Sequence, residues 1–258
     1  MSDDIRDRLR ALGLHALAIE YDDILATGIK KRWSIEHALE YIVTHEEEER
    51  ARRSIERRQR TSKLGNFKPI ADFDWTWPTR VNQASIHDAL ELGFMRENKN
   101  VVFIGGQGLG KTMLAKNITS RAVQAGHSAL FITAADLLLD LEGQESANAL
   151  QRRLKHYARV AVLCIDEIGY LAYQQRSADL LFQLVSKRYE QRPLILTTNK
   201  SFSDWPTIFP GAACATALVD RVVHHADVIH IEGDSYRLRE SANAAKRGRA
   251  RKASTAKK

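Results

Sequence analysis

Apolar residues recur at helical spacing near the start of the chain: Ile5, Leu9, Leu12 and Ala16, then Leu17, Tyr21, Ile24 and Leu25. A period near 3.6 predicts helices over residues 3–64. Ser34 is placed to cap a further helix whose face carries Leu39, Ile42 and Val43. From Glu46 to Arg60 the helical segment is charged throughout. Residues 65–80 break the pattern, with Gly65, Pro69 and Pro78 bracketing Phe67, Phe73, Trp75 and Trp77. Four aromatics favour burial, so this stretch predicts a strap packed on the following domain or on a neighbouring subunit. Beyond residue 80, short apolar runs alternate with helical segments, and strands are expected near 101–104, 129–132, 160–165, 194–198 and 228–231. Consecutive apolar positions suit strands covered on both faces, so five of them predict a parallel sheet flanked by helices. The expected organisation is an all-α domain at 1–64, a strap at 65–80, an α/β domain at 81–240 and a tail at 241–258.

Composition narrows the class. The chain has 258 residues, 44% of them hydrophobic, enough for one α/β domain and a small addition. No apolar run reaches membrane-spanning length, and the polar opening Met-Ser-Asp-Asp-Ile-Arg has no signal-peptide centre. Two unpatterned cysteines, Cys164 and Cys214, point to a reducing, cytoplasmic setting without disulfides. Nine histidines, including His224, His225 and His230, have no cysteine clustering or helical metal spacing and are read as structural.

Charge placement matters more than its sum. Net charge is +7, and residues 241–258 hold seven Lys/Arg and no acid, so the rest is formally neutral. Such a tail can bind phosphate backbones or simply solubilise the chain. Residues 50–63 carry seven bases against Glu56 alone. On a helix Arg50, Arg53, Arg57 and Arg60 share one face, a stripe fitting a DNA backbone or a solvated face with pairs such as Glu46–Arg50 and Glu49–Arg53. A second basic cluster, Arg152, Arg153 and Lys155, follows the second strand and is either a DNA-facing or a plain surface helix.

The candidate chemistry begins after Asn100–Ile104. Gly105, Gly106, Gln107, Gly108, Leu109, Gly110, Lys111 and Thr112 form G-x-x-x-x-G-K-[ST] between a strand and a helix opening at Met113. The glycines let backbone N–H groups face phosphate oxygens, Lys111 reaches the β- and γ-phosphates, and Thr112 can ligate Mg²⁺. The helix N-terminus adds partial positive charge. Val160–Ile165 is apolar and ends in Asp166-Glu167. Asp166 would hold Mg²⁺ with Thr112, and Glu167 would polarise an attacking water, which points to hydrolysis of ATP. A third strand ends at Asn199, whose amide can bond the γ-phosphate or that water.

In this order the motifs resemble those of the AAA+ ATPases: Gly105–Thr112 matches Walker A, Val160–Glu167 Walker B, and Thr197-Thr-Asn199 sensor 1. Cys164-Ile-Asp-Glu-Ile-Gly-Tyr-Leu171, Leu218-Val-Asp-Arg-Val-Val-His-His225 and Ile231-Glu-Gly-Asp-Ser-Tyr-Arg-Leu-Arg239 bring the likeness to the IstB/DnaC group. The His-His pair and the length favour the IstB type, the ATPase of insertion-sequence transposition. The resemblance implies an AAA+ core, an N-terminal helical domain that engages double-stranded DNA, a homo-oligomer with ATP and Mg²⁺ between subunits, and a transposase as partner. It also implies that Arg221 acts on the nucleotide of a neighbouring subunit. Too few residues follow Leu238 for the usual helical lid, which leaves Arg237 without the customary setting of a second sensor. Three rivals remain: a DnaC-like helicase loader binding single-stranded DNA, a P-loop kinase of a small substrate, and a non-hydrolysing DNA-binding scaffold.

Overall fold

The structure is a computed structural model in which residues 2–170, 172–210 and 212–239 are described, without the side chains of Ser2, Asp3, Ala212 and Ala213. The basic tail at 241–258 and Leu171 lie outside the described residues. Two compact units divide between Arg57 and Arg58.

The first unit contains α1 (Ser2–Ala11), α2 (His15–Ile19), α3 (Tyr21–Lys31) and most of α4 (Ile35–Thr61). The expected cap is present, with the Ser34 hydroxyl accepting the His37 N–H at 3.1 Å. The apolar stripes close less completely than the periodicity predicts. Ala16, Leu17, Ala18 and Ile24 are buried, but Leu12, Ile19, Ile29, Ile35, Leu39 and Val43 are exposed. Four helices enclose little volume, and part of each stripe stays in water. The charged run hides a buried anchor. Glu46 is 4% exposed and accepts hydrogen bonds from Arg50 (3.1 Å), Arg53 (3.0 Å) and the Leu17 N–H (3.4 Å). The expected Glu46–Arg50 pair forms. Glu49 differs from expectation: it pairs with Arg52, while Arg53 turns to Glu46.

The second unit is built on a sheet of β1 (Arg80–Val81), β2 (Asn100–Gly105), β3 (Ala129–Thr133), β4 (Val162–Ile168), β5 (Leu194–Thr198) and β6 (Ala226–Glu232), in the order β1-β6-β2-β5-β4-β3. The five expected strands are parallel to their neighbours, and β1 adds a sixth, pairing antiparallel with β6 at the edge. Two residues carry no periodicity to read, which is why β1 escapes a sequence pattern. Side chains alternate across the sheet. Val102, Ile104, Leu163, Ile165, Leu194 and Leu196 pack under α8 (Ala134–Glu142), α9 (Ala147–Arg159), α10 (Gln175–Arg188), α11 (Trp205–Ile208) and α12 (Ala212–Val223). Val101, Phe103, Val162, Cys164 and Ile195 pack under α5 (Gln83–Leu90), α6 (Gly93–Arg96), α7 (Lys111–Gln124) and the strap. Burial on both faces explains the continuous apolar runs. It also raises the Cys164 thiol pKa, leaving that group inert.

One buried cation ties the far end of the sheet together. Arg188, 1% exposed, donates to the carbonyls of Tyr157, Ala158, Val160, Ala161 and Pro193. These are orphan acceptors at the end of α9 and the entry to β5, so the guanidinium does the work of a helix C-cap and a loop clamp together.

Candidate functional site

β2, β4 and β5 end on the same edge of the sheet, where open α/β sheets form their ligand crevice. A cleft of about 540 Å³ lies there. Gln107, Gly108, Leu109, Gly110, Lys111, Thr112 and Met113 form one wall, and Glu167, Thr197, Thr198 and Asn199 another. Gly105 and Gly106 sit just behind, and their carbonyls accept Lys111 Nζ at 2.8 and 2.6 Å. Gly110 (φ 87°) starts α7 in the left-handed region, and a Cβ there would lie 2.6 Å from the Phe73 ring. Backbone conformation and close packing therefore both require glycine.

The acidic groups are held by hydroxyls. Asp166, 3% exposed, accepts hydrogen bonds at Oδ1 from Thr112 Oγ1 (3.1 Å) and from Thr197 Oγ1. Thr197 in turn accepts the Glu167 N–H at 2.9 Å. An irregular register between Ile165 and Ile168 lets β4 turn Glu167 into the left-handed region, φ 62°, where its exposed carboxylate meets the cleft. Asn199 follows β5, which is hydrogen-bonded to β4, and lines the same cleft as Glu167. Thr112 and Asp166 present hard oxygen donors side by side, a set that suits Mg²⁺. Burial lowers the Lys111 pKa, Asp166 and Glu167 oppose that shift, and Arg237 adds to it.

Arg237 is therefore close to the P-loop of its own chain, although no lid helix is seen among the described residues. A helical turn at Tyr236–Arg239 replaces it. The Tyr236 N–H donates to the Gly108 carbonyl at 3.0 Å. The aromatic strap meets this turn across the cleft. Trp77 Nε1 donates to the Asp234 carbonyl at 2.8 Å, Arg239 bonds Asp74 at 3.0 Å, and its guanidinium lies 4.3 Å from the Trp77 ring centroid. Phe73, Asp74, Trp77, Tyr236 and Arg237 all line the cleft. Sequence reasoning missed the strap's part in it. The aromatics gave a signal for burial, but the partner turn lies 157 residues away.

The remaining candidates lie elsewhere. Arg221 on α12 is outside the cleft lining, half-buried over the Phe182 ring at 4.4 Å and bonded to Ser186 of α10. Arg50 and Arg53 bond Glu46, while Arg57 and Arg60 are exposed. Arg152 and Lys155 are exposed on α9, whereas Arg153 is bound to Asp140 and Tyr157. No described helix is long and apolar enough to cross a membrane.

Comparison with known proteins agrees with this geometry. Residues 7–244 match the family model described as IstB-like ATP binding protein. The insertion sequence IS5376 ATP-binding protein of Geobacillus stearothermophilus is 41% identical over 74% of this chain and 76% of its own length. That of IS232 from Bacillus thuringiensis is 36% identical over 90% and 93%, and that of IS21 from Pseudomonas aeruginosa 34% over 92% and 89%. Among solved structures, DnaI aligns over 67% of this chain and 90% of its own, with a TM-score of 0.54 and 20% identity. The DnaC helicase loader aligns over 66% and 97%, with a TM-score of 0.50 and 21% identity. These two likenesses are of fold alone. The P-loop and Asp-Glu pair on an AAA+ sheet, matched by a family model over nearly the whole length, establish that the chain belongs to the IstB-like ATP-binding protein family of insertion sequences.

Proposed function

We propose that this protein is a Mg²⁺-dependent ATPase that assembles with copies of itself on duplex DNA and assists the transposase of its insertion element in placing the insertion. The observation that carries the reading is a divided site. Lys111, Thr112, Asp166, Glu167 and Asn199 gather at one cleft, while the cation expected to complete it, Arg221, lies outside on another helix. A neighbouring subunit can supply what the cleft lacks. Bound Mg²⁺ would offset charge on the β- and γ-phosphates. Thr112 and Asp166 are the residues to hold it, Lys111 binds phosphate, and Glu167 takes the proton of the attacking water. The strap and the Tyr236–Arg239 turn shelter the rest of the nucleotide. Trp77→Ala, which parts them, is expected to weaken ATP binding about three- to tenfold, since one aromatic contact contributes about 0.5–1.5 kcal/mol. Fluorescent-nucleotide titration measures it, and unchanged affinity removes the strap from nucleotide binding.

The exposed apolar residues of the first unit, Ile19, Ile29, Ile35, Leu39 and Val43, support an assembly or transposase surface there. Arg57 and Arg60 on α4, with Arg152 and Lys155 on α9, are the exposed cations assigned to the DNA backbone. A helicase-loader reading rests on fold likeness only.

Duplex binding should be weakly sequence-dependent, with a log–log salt slope of about −3 to −5 per subunit if roughly three to five phosphates are neutralised. Anisotropy over a salt series with ATP tests this. Arg57→Glu with Arg60→Glu should reduce the slope by about 2, with Arg53 left intact because it pairs with buried Glu46. A wild-type slope in that variant assigns DNA contact elsewhere. Tighter binding to single-stranded than to duplex DNA favours the loader reading.

A further inference from the structure

At the end of the sheet opposite the nucleotide cleft, α12 is followed by His224-His225 and α10 by Tyr189-Glu190. The ring nitrogens of both histidines converge on one carboxylate oxygen. His225 Nε2 lies 3.2 Å from Glu190 Oε1, and His224 Nδ1 lies 3.8 Å from it. One donor atom from each of the three residues lies within 4.8 Å of the others. We propose that Glu190, His224 and His225 bind a divalent transition-metal ion, zinc fitting best, which fastens the end of α10 to the end of α12.

The chemistry follows from the donors. Two imidazoles and one carboxylate are a borderline N,N,O set that selects zinc over Mg²⁺. Metal–ligand bonds of about 2.0–2.2 Å in a tetrahedral shell set donor atoms about 3.3–3.6 Å apart. The two His–Glu distances, 3.2 and 3.8 Å, bracket that spacing, so modest side-chain rotations would close the shell. All three residues are exposed, which leaves the fourth position to water.

Backbone anchoring makes this more than a surface coincidence. Glu190 holds φ 56°, in the left-handed region that non-glycine residues rarely adopt. Its turn is pinned on both sides, because Gln191 and Arg192 donate to the Arg188 carbonyl, and the Arg188 side chain is itself buried among carbonyls. On the other side of the site, the His225 carbonyl accepts the Asn100 N–H at 2.7 Å. The buried Asn100 amide then bridges the Val222 carbonyl and the Leu194 N–H, both at 2.9 Å. The Tyr189 hydroxyl, 2.8 Å from His224 Nδ1, orients that ring, and metal uptake exchanges this hydrogen bond for a metal–nitrogen bond. Both donor turns are thus set before any ion arrives, as a built site requires.

Arg221 stands in the last turn of α12, shortly before His224-His225, and leans on Phe182 and Ser186 of α10. An ion joining these helix ends would fix the base from which Arg221 projects. This consequence, unlike the site, rests on Arg221 serving a neighbour's nucleotide.

Equilibrium dialysis of the full chain against micromolar zinc, with excess Mg²⁺ and no nucleotide, tests the site. Wild type should retain one zinc ion per chain. Glu190→Gln and the His224→Ala/His225→Ala double variant should each lose about tenfold or more in affinity, in line with the sensitivity of metal sites to their supporting groups. Cobalt(II) in place of zinc should give visible ligand-field absorption in wild type only, a readout independent of stability. Equal zinc uptake by wild type and both variants, or none by wild type, overturns the site. ATPase turnover of the DNA-bound assembly with and without zinc tests the consequence. Zinc retained by wild type with turnover unchanged keeps the site and overturns its link to Arg221.

Discussion

Lys111→Ala is expected to weaken ATP binding by about a hundredfold or more, whereas Glu167→Gln binds ATP normally and loses hydrolysis. The two residues face one cleft, but the proposed reaction gives them different parts. Lys111 Nζ donates to the Gly105 and Gly106 carbonyls, a position from which small rotations carry it onto phosphate oxygens without moving the loop. Hydrogen bonds to a charged group are each worth about 1.5–3 kcal/mol, so losing two costs at least about 3 kcal/mol, or roughly a hundredfold in Kd. Glu167 carries no such duty. Its exposed carboxylate is held by backbone alone, through the left-handed φ and the Thr197 bond. The glutamine keeps that backbone and removes the base, and general-base loss costs about 10²–10⁴ in rate. Nucleotide titration and single-turnover hydrolysis on the purified variants separate the effects. Wild-type turnover in Glu167→Gln, or wild-type affinity in Lys111→Ala, removes the assignment of the cleft. On the proposed shared site, Glu167→Gln should also hold its DNA-bound assembly longer, since unhydrolysed nucleotide would stay between subunits.

How much of this was readable in the chain depends on the range of the interactions. Gly105–Thr112 and Asp166-Glu167 each follow an apolar run, so their place at one sheet edge follows from local pattern plus parallel topology. The amide of Asn199 needed only the next strand in the order. Contacts between distant segments had no local signature. The strap reaches the cleft because Trp77 and Asp74 meet Asp234 and Arg239, and nothing in either segment names the other. In the sequence Thr197 is legible only as part of the stretch matching sensor 1, with no role of its own, yet its hydroxyl links Asp166 to Glu167. Burial inside a charged helix was equally silent. Periodicity over Glu46–Arg60 does not say which carboxylate turns inward, and Glu46 does so because the Leu17 amide and two arginines satisfy it. The same limit hid Arg188, one basic residue in a helix end of several, whose burial depends on five carbonyls gathered from two segments.

Arg221→Met should leave ATP affinity within about twofold of wild type while lowering turnover of the DNA-bound assembly by about 10³-fold or more, the scale of arginine fingers in related NTPases. Methionine keeps an apolar side chain over Phe182 and spares the α10–α12 contact that alanine would open. The defect should therefore be one of charge at a neighbour's nucleotide and not of folding, which a matching thermal midpoint checks. Complementation decides the geometry. Each Arg221→Met subunit has an intact P-loop, and each Lys111→Ala subunit has an intact arginine. Mixing two nearly inactive proteins should restore turnover at those interfaces where the first presents its cleft to the second. A site completed within one chain predicts no recovery at any ratio, because every cleft in the mixture lacks either its lysine or its arginine. Recovery that rises and falls with the mixing ratio, peaking near equal proportions, is the signature of a shared site. Its absence, with both proteins folded and co-assembled, returns Arg221 to the role its contacts already describe, a clamp between two helices.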